Sequence, residues 1–375
     1  MDAGSGDRAV AVTPDATDAT VRAVAGTVIG GRGNYPREPL AAAPWARLVA
    51  TVRGERLQPQ LASAIASRRL PASEDQAGEA ERMHAAAMAT ALMLDRQLLE
   101  TATLLGSRSI PFRVVKGPAA AHLDYPDPSQ RAYGDIDLLV PSQHVDRAVT
   151  TLTEAGGRRS YREPLPGFDR RFGKGMSFRM PSNLEVDVHR TLALGPFGLA
   201  LDPDGLWDRE DSFELGGRRM LAMDRSRRFL HACYHAMLGR GRPRFLPLID
   251  LVLTAPMTDE DRWMVETLAR RWQADTVVQC AVASARMQLG WEVPTGVAEM
   301  TDRLAPTPRQ QRWLKGYRGR GRSSARLTLT AVEAIEGWRN RFDYVHAVLW
   351  PRGQTPSSAL ARFRGAVAAS RPRRP

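Results

Sequence analysis

Val114-Val115-Lys116-Gly117 lies near the middle of the chain, and the string Gly134-Asp135-Ile136-Asp137-Leu138-Leu139-Val140 follows it. About fifty residues later comes Leu184-Glu185-Val186-Asp187-Val188-His189. In both acidic strings β-favouring aliphatic residues alternate with carboxylates at period two, the pattern of a strand. Asp135 and Asp137 therefore leave their strand on the same side, roughly 6–7 Å apart at Cα. Carboxylates held that close repel each other, and a bound divalent cation is the usual compensation. Such a pair suits metal-dependent nucleotidyl transfer. Two Mg²⁺ ions activate the attacking oxygen and neutralise the leaving pyrophosphate in an in-line displacement.

Asp135 and Asp137 are the candidates to bind both ions, and a third carboxylate from a neighbouring strand would complete the site. Glu185 and Asp187 both qualify, because positions 185, 187 and 189 share one face. Asp187 is favoured, having an apolar residue on each side like the Asp-Ile-Asp pair. His189 then sits beside the metals, orienting a ligand or acting as a base near the attacking group. Lys116-Gly117 stands where a strand turns into a helix, so backbone N–H groups and the helix dipole favour phosphate there. Gly117 lets the backbone approach an anion without a Cβ in the way. Lys116 is one of three lysines against fifty arginines, which marks a place for a compact point charge. Arg131, four residues before Asp135, can reach a phosphate or brace the acidic loop.

The elements that must position these residues are readable around them. Ser73 with Glu74 and Asp75 reads as the N-cap and acidic first turn of a helix running to Gly106. Met83, Ala87, Leu94, Leu98, Leu99 and Leu105 give it a stripe to pack on a sheet. Pro111–Val115 reads as a strand and Pro118–Tyr125 as a helix with proline in its first turn. Gln143–Ala155 is amphipathic and is stopped by Gly156-Gly157. Gly175–Met180 and Leu184–Arg190 form a hairpin. The spacing predicts helices over Arg225–Leu238, Phe245–Thr254, Asp259–Leu289 (one or two) and about Thr328–Trp338. The expected class is α+β, a small mixed-sheet core followed by helices. The expected divisions are a disordered leader at 1–40, a helical segment at 41–74, the α/β core at 75–200, a helical domain at 201–305 and an Arg-rich region at 306–375.

Composition sets the outer bounds. At 43% apolar and 25% charged residues the chain is ordinary for a globular protein. No apolar run approaches the roughly 20 residues of a membrane span. The N-terminus lacks a basic segment followed by an apolar one, which argues against secretion. Cys233 and Cys280 make neither a disulfide framework nor a zinc site, so a cytoplasmic setting is expected. The net charge of +12 is concentrated in residues 306–375, with fifteen Lys or Arg against three acids. Arg318-Gly319-Arg320-Gly321-Arg322 and Arg371-Pro372-Arg373-Arg374 read as solvated loop and tail, or as a footprint for nucleic acid. His231 and His235, four apart on a helix, have a metal-binding spacing but no third ligand near them, and packing or substrate contact with Asp250 is the better reading.

Val-Val-Lys-Gly, Tyr125-Pro126-Asp127-Pro128, Arg131 and Gly134-Asp-Ile-Asp-Leu-Leu-Val together resemble the uncharacterised bacterial nucleotidyltransferase family of the DNA polymerase β-like superfamily. The string with Asp187 and His189 is similar to that family's acidic-x-His segment, and Arg228–His235 with Leu248–Leu251 resembles its helical portion. The resemblance implies a Mg²⁺-dependent enzyme that moves a nucleoside monophosphate from an NTP to an acceptor, in a setting such as peptide natural-product biosynthesis. The chain departs from the superfamily at Pro118, where a glycine or a phosphate-binding serine is usual. The Lys-Gly turn is also similar to toxin nucleotidyltransferases of the AbiEii type, which implies tRNA as a second acceptor. A non-catalytic nucleotide-binding partner in a biosynthetic assembly is the third reading.

Overall fold

The computed structural model describes residues 16–31, 33–239, 242–255, 257–318 and 324–350. Helix α1 (Ala16–Ala25) is followed by α2 (Ala42–Glu55), α3 (Gln58–Ala66) and the 34-residue α4 (Glu74–Ser107). Ser73 caps α4 reciprocally: the Gln76 N–H donates to its Oγ at 3.3 Å, and its own N–H donates to Gln76 Oε1 at 3.2 Å. Strand β1 (Arg113–Val115) leads into α5 (Gly117–Leu123), β2 (Ile136–Leu139), α6 (Val145–Glu154), β3 (Arg158–Arg159), α7 (Phe168–Arg171), β4 (Gly175–Arg179) and β5 (Glu185–His189). After α8 (Pro196–Ala200) comes a hairpin of β6 (Glu210–Leu215) and β7 (Arg218–Met223). Helices α9 (Arg225–Leu238), α10 (Phe245–Thr254), α11 (Asp259–Arg271), α12 (Asp275–Leu289) and α13 (Thr295–Asp302) follow. The last three described helices are α14 (Pro308–Arg318), α15 (Ser324–Ala334) and α16 (Trp338–Leu349). The class is α+β, with a helical C-terminal region.

All seven strands form one mixed sheet in the order β3-β4-β5-β2-β1-β7-β6. The β2–β5 and β1–β7 pairs are parallel, and the remaining neighbours are antiparallel. Period-two alternation sorts the side chains between two cores. Val114, Ile136, Leu138, Val186 and Val188 are buried with Leu94 and Leu98 of α4 and Val145 and Leu152 of α6. Each such burial contributes about 1.5–3 kcal/mol, so this face holds the acidic strands in register. Val115 and Leu139 join a second core with α9, α10 and α12. Asp137 shares its strand face with Leu139, so the carboxylates lie between the sheet and the C-terminal helices.

Several expectations need correction. Residues 16–25 are not leader but α1, whose Val21, Val24 and Ala25 are buried in the second core. Alanine- and threonine-rich composition hid that short i, i+3, i+4 stripe. The sheet also runs past residue 200, because β6 and β7 extend it to Met223. Their signal stands in the sequence as Gly216-Gly217, with φ of 54° and 75°, the positive angles a two-residue hairpin turn requires. Asp259–Leu289 is two helices, broken between Arg271 and Asp275. The helix expected over Thr328–Trp338 is α15, which ends at Ala334, and Trp338 opens α16. Trp313, Tyr317 and Leu327 of the Arg-rich region are buried in the second core. Residues 1–15, the run 319–323 and the Arg371–Arg374 tail lie outside the described residues. Among the described residues no helix is long and apolar enough to cross a membrane.

Candidate active site

Lys116 ends β1 with φ 56° and ψ −141°, a conformation that a non-glycine residue holds only when its surroundings impose it. Buried Val115 fixes one side, and Gly117-Pro118 opening α5 fixes the other. The turn brings the Lys116 ammonium to β2, where it donates to Asp137 Oδ1. Nε2 of His189, from β5, meets the same oxygen at 2.5 Å. Asp137 is 2% exposed. Burial alone would raise its carboxyl, yet Lys116 and His189 hold it well below the usual carboxylate range.

Asp187 is the register partner of Asp137 on β5, and Ser177 of β4 is its partner on the other side. Ser177 hydrogen-bonds to it, while its Oδ1 is buried without a partner. Burial, with the Asp137 and Asp135 carboxylates adding to it, pushes Asp187 up to about 6. Burial and the Lys174 ammonium push the His189 imidazole down to about 4, against the pull of Asp137. His189 is therefore neutral at pH 7, donating through Nε2 to Asp137 and leaving Nδ1 buried without a partner. Gly175 of β4 faces it in the ladder. A Cβ there would lie 2.7 Å from His189 Nδ1 and press on the Val188 carbonyl, so the ring's place depends on a glycine.

Ligand atoms of Asp137, Asp187 and His189 all lie within 4.8 Å of one another. Two carboxylates and an imidazole fit a divalent cation, and the orphaned Asp187 oxygen is the atom such an ion would satisfy. Glu185 stands apart, half-buried and 3.6 Å from Arg179. Asp135 lies just ahead of β2, and its Oδ1 accepts from Arg56 at 3.2 Å, so it borders the cluster.

A cleft of about 130 Å³ opens beside Asp135 and Asp137, walled by Arg56, Lys116, Gly117, His235 and Arg244. Arg131 reaches its wall, but the guanidinium is taken up by protein. Nε and Nη2 donate to the Asp250 carboxylate at 2.8 and 2.7 Å, and Nη1 to the Gly117 carbonyl at 3.4 Å. The Tyr125 hydroxyl donates to Asp250 as well, at 2.9 Å. Arg131 thus braces the Lys116–Gly117 turn against α10, in place of the expected phosphate contact. His231 and His235 face Lys116 around a cavity of about 20 Å³, apart from the carboxylate cluster. Burial and Lys116 hold buried His231 well below its ordinary value, which suits a packed, neutral ring.

On the other side of the acidic strands, Asp187 and His189 open on a cleft of about 420 Å³ that Lys174 also lines. Burial and then Lys116 push Lys174 down to about 8. Sequence reasoning missed it, although it is the second of the three lysines and carried the rarity that singled out Lys116. Arg56 and Arg244 had no such signal.

No curated protein matches the chain in sequence. Three solved structures are similar to the chain at a low level. They are the lincosamide antibiotic adenylyltransferase LnuA in its lincomycin-bound form (13% identity, 44% of this chain and 97% of that one, TM-score 0.29), the antibiotic-resistance factor ANT(2'')-Ia (14%, 51% and 97%, TM-score 0.35) and an antigenic nucleotidyltransferase-like protein from Paracoccidioides brasiliensis (12%, 52% and 92%, TM-score 0.29). Residues 41–290, two thirds of the chain and all of the acidic cluster, match the family described as uncharacterised nucleotidyltransferase, and the chain belongs to that family.

Proposed function

We propose that this nucleotidyltransferase moves a nucleoside monophosphate from an NTP to an acceptor, with Asp135, Asp137 and Asp187 as its catalytic carboxylates. The observation that carries the reading is the convergence of Lys116, Asp137, Asp187 and His189 on one point of two parallel strands. Mg²⁺ held there, as two ions in this reading, would supply charge neutralisation and a more acidic attacking oxygen. The protein supplies the rest by position. Arg56, Lys116 and Arg244 surround the smaller cleft with positive charge, where the phosphates of the NTP would lie against the start of α5. Neutral His189 fixes the Asp137 carboxylate, and Arg131 fixes the turn that carries Lys116. In this reading residues 75–223 carry the carboxylates, Lys116 and His189, Arg56 and Arg244 reach the phosphates from either side of that segment, and the later helices shape the acceptor's place.

A cytoplasmic setting belongs to this reading and draws on the two free cysteines. A role in peptide natural-product biosynthesis is the favoured context. The test is transfer of label from α-³²P-NTP into a cell extract: Asp137→Asn should abolish it, and full labelling by that variant would overturn the assignment.

A tRNA acceptor draws support from α16, where Trp338 and Phe342 are 72% and 65% exposed beside Arg339 and Arg341. Aromatic and basic groups so interleaved can stack on bases and pair with phosphates. Replacing the exposed Trp338 and Phe342 with alanine should then abolish RNA labelling, and Arg339→Gln with Arg341→Gln should flatten its salt dependence. A calorimetric titration without Mg²⁺-dependent NTP binding would favour the non-catalytic reading instead.

A further inference from the structure

We propose that the cleft beside Asp187 and His189 is the acceptor subsite, and that it takes a small acceptor bearing one anionic group, carboxylate or phosphate, next to an apolar ring or chain. The inference deepens the nucleotidyl-transfer reading above and rests on it. Sheet order gives the direction of approach. Lys116 on β1 and Asp137 on β2 face the smaller, Arg-lined cleft, whereas Asp187 on β5 and Lys174 beside β4 face the larger one. An in-line displacement needs the acceptor to enter from the side opposite the leaving pyrophosphate, which is the Asp187 side. At about 420 Å³ the larger cleft has the size of a small-molecule site.

Its lining gives the chemistry. Arg159 is paired with Asp169. Lys174 and Arg162 line the cleft without a salt bridge to any described residue. Beyond the Arg159–Asp169 pair the lining sets Arg162 and Lys174 against the single carboxylate of Asp187, and this excess of positive charge disfavours an amine-rich acceptor and attracts an anion. Much of the remaining wall is apolar, with Tyr161 76% exposed, Leu194 50% exposed, and Phe168 lining the cleft with them. Phe168 stacks on Tyr344 of α16 at 5.9 Å, and Tyr317 of α14 donates to the Leu194 carbonyl. Both supports come from helices beyond residue 290. The acceptor's wall therefore leans on a part of the chain outside the segment that defines the family.

The matched probes 4-hydroxyphenylacetate and tyramine have the same ring and hydroxyl with opposite charge, and 4-hydroxybenzylphosphonate supplies the phosphate-like arm. Calorimetric titration of the full chain, without NTP or metal, should show each anion binding at least tenfold tighter than tyramine. The tighter of the two anions identifies the group. Lys174→Gln and Arg162→Gln should each erase most of that preference, and Lys174→Arg should keep it. Arg162 is exposed, so its variant keeps the test alive if Lys174→Gln fails to fold. Equal or reversed preference overturns the proposal, as does preference that survives both Gln variants or vanishes on adding excess NTP. Because no NTP is present in the main titration, a failed transfer assay counts against the proposed reaction, and a missing charge preference counts against the subsite.

Discussion

Asp137 and Asp187 face each other across the parallel β2–β5 pair, yet of the two only Asp137 holds a direct ion pair, with Lys116. Asp137 receives Lys116 and His189, while Asp187 has Ser177 and an orphaned oxygen. The two carboxylates should therefore respond differently to the same substitution. Asp187→Asn removes like-charge repulsion and breaks no direct salt bridge, and Asp137 remains beside Lys174, so the metal-free protein should melt no lower than wild type. Transfer should still fall by at least about a hundredfold, as for loss of a principal electrostatic group. Asp137→Asn should lose both activity and melting temperature. Thermal melts beside labelled-NTP assays separate the two cases.

The raised Asp187 pKa, about 6, has opposite consequences for stability and activity. The folded, metal-free protein keeps this proton to about pH 6, whereas the unfolded chain releases it near pH 4. Stability from this group is present at low pH and lost as pH rises from about 4 to 6. Activity needs the carboxylate and should rise through the same range. Cation and proton compete for one oxygen, so raising Mg²⁺ should move the midpoint of kcat/KM to lower pH. A midpoint indifferent to Mg²⁺ would count against Asp187 as a ligand.

Lys116 holds a buried ion pair at the expense of backbone strain. Breaking such a pair from one side costs about 3–5 kcal/mol. Restoring glycine at a positive φ returns about 1–3 kcal/mol. Lys116→Met and Lys116→Gly should both be inactive, with the glycine variant the more stable of the two by roughly 1–3 kcal/mol in urea denaturation.

Arg131 should behave as a brace. Arg131→Met strands the buried Asp250 carboxylate and should cost about 3–5 kcal/mol. Adding Asp250→Leu should recover part of that loss. The KM for NTP of the remaining folded enzyme should change little. A variant of full stability with a raised KM would return Arg131 to the phosphates.

Gly175→Ala should push the His189 ring from Asp137. Stability should fall by roughly 1–3 kcal/mol and transfer with it, in the way typical of a forced clash in a packed strand pair. Normal activity in this variant would show that the ladder can give at that point.

The acidic strands are legible in the sequence because alternation encodes which face each carboxylate takes. Helices α9 and α10 are legible to the residue, since Arg225–Leu238 and Phe245–Thr254 carry dense apolar faces. The choice between Glu185 and Asp187 needs the register, which sets Asp187 opposite Asp137. Arg56 is invisible for a different reason. It meets Asp135 from 79 residues away, off the end of a helix whose own pattern says nothing of phosphates. With fifty arginines no single one stands out, whereas three lysines do, and Lys174 shows that the scarcity signal should be applied to all three.

The placement of α1 bears on how the chain is made. The sheet's core draws only on residues from Ala91 to Ala222, so it can close on the ribosome once β7 has emerged. Helix α1 packs first against α2 and α3 and then against α10 and α12, in the core completed by Val277, Val278 and Ala281. At about 5–20 residues per second, the roughly 250 residues between them take on the order of 10–50 s to synthesise. For that interval α1 has α2 and α3 beside it, and the part of its apolar face that meets α10 and α12 stays open. The α1–α3 cluster thus keeps an apolar flank that chaperones can cover until the C-terminal helices close over it.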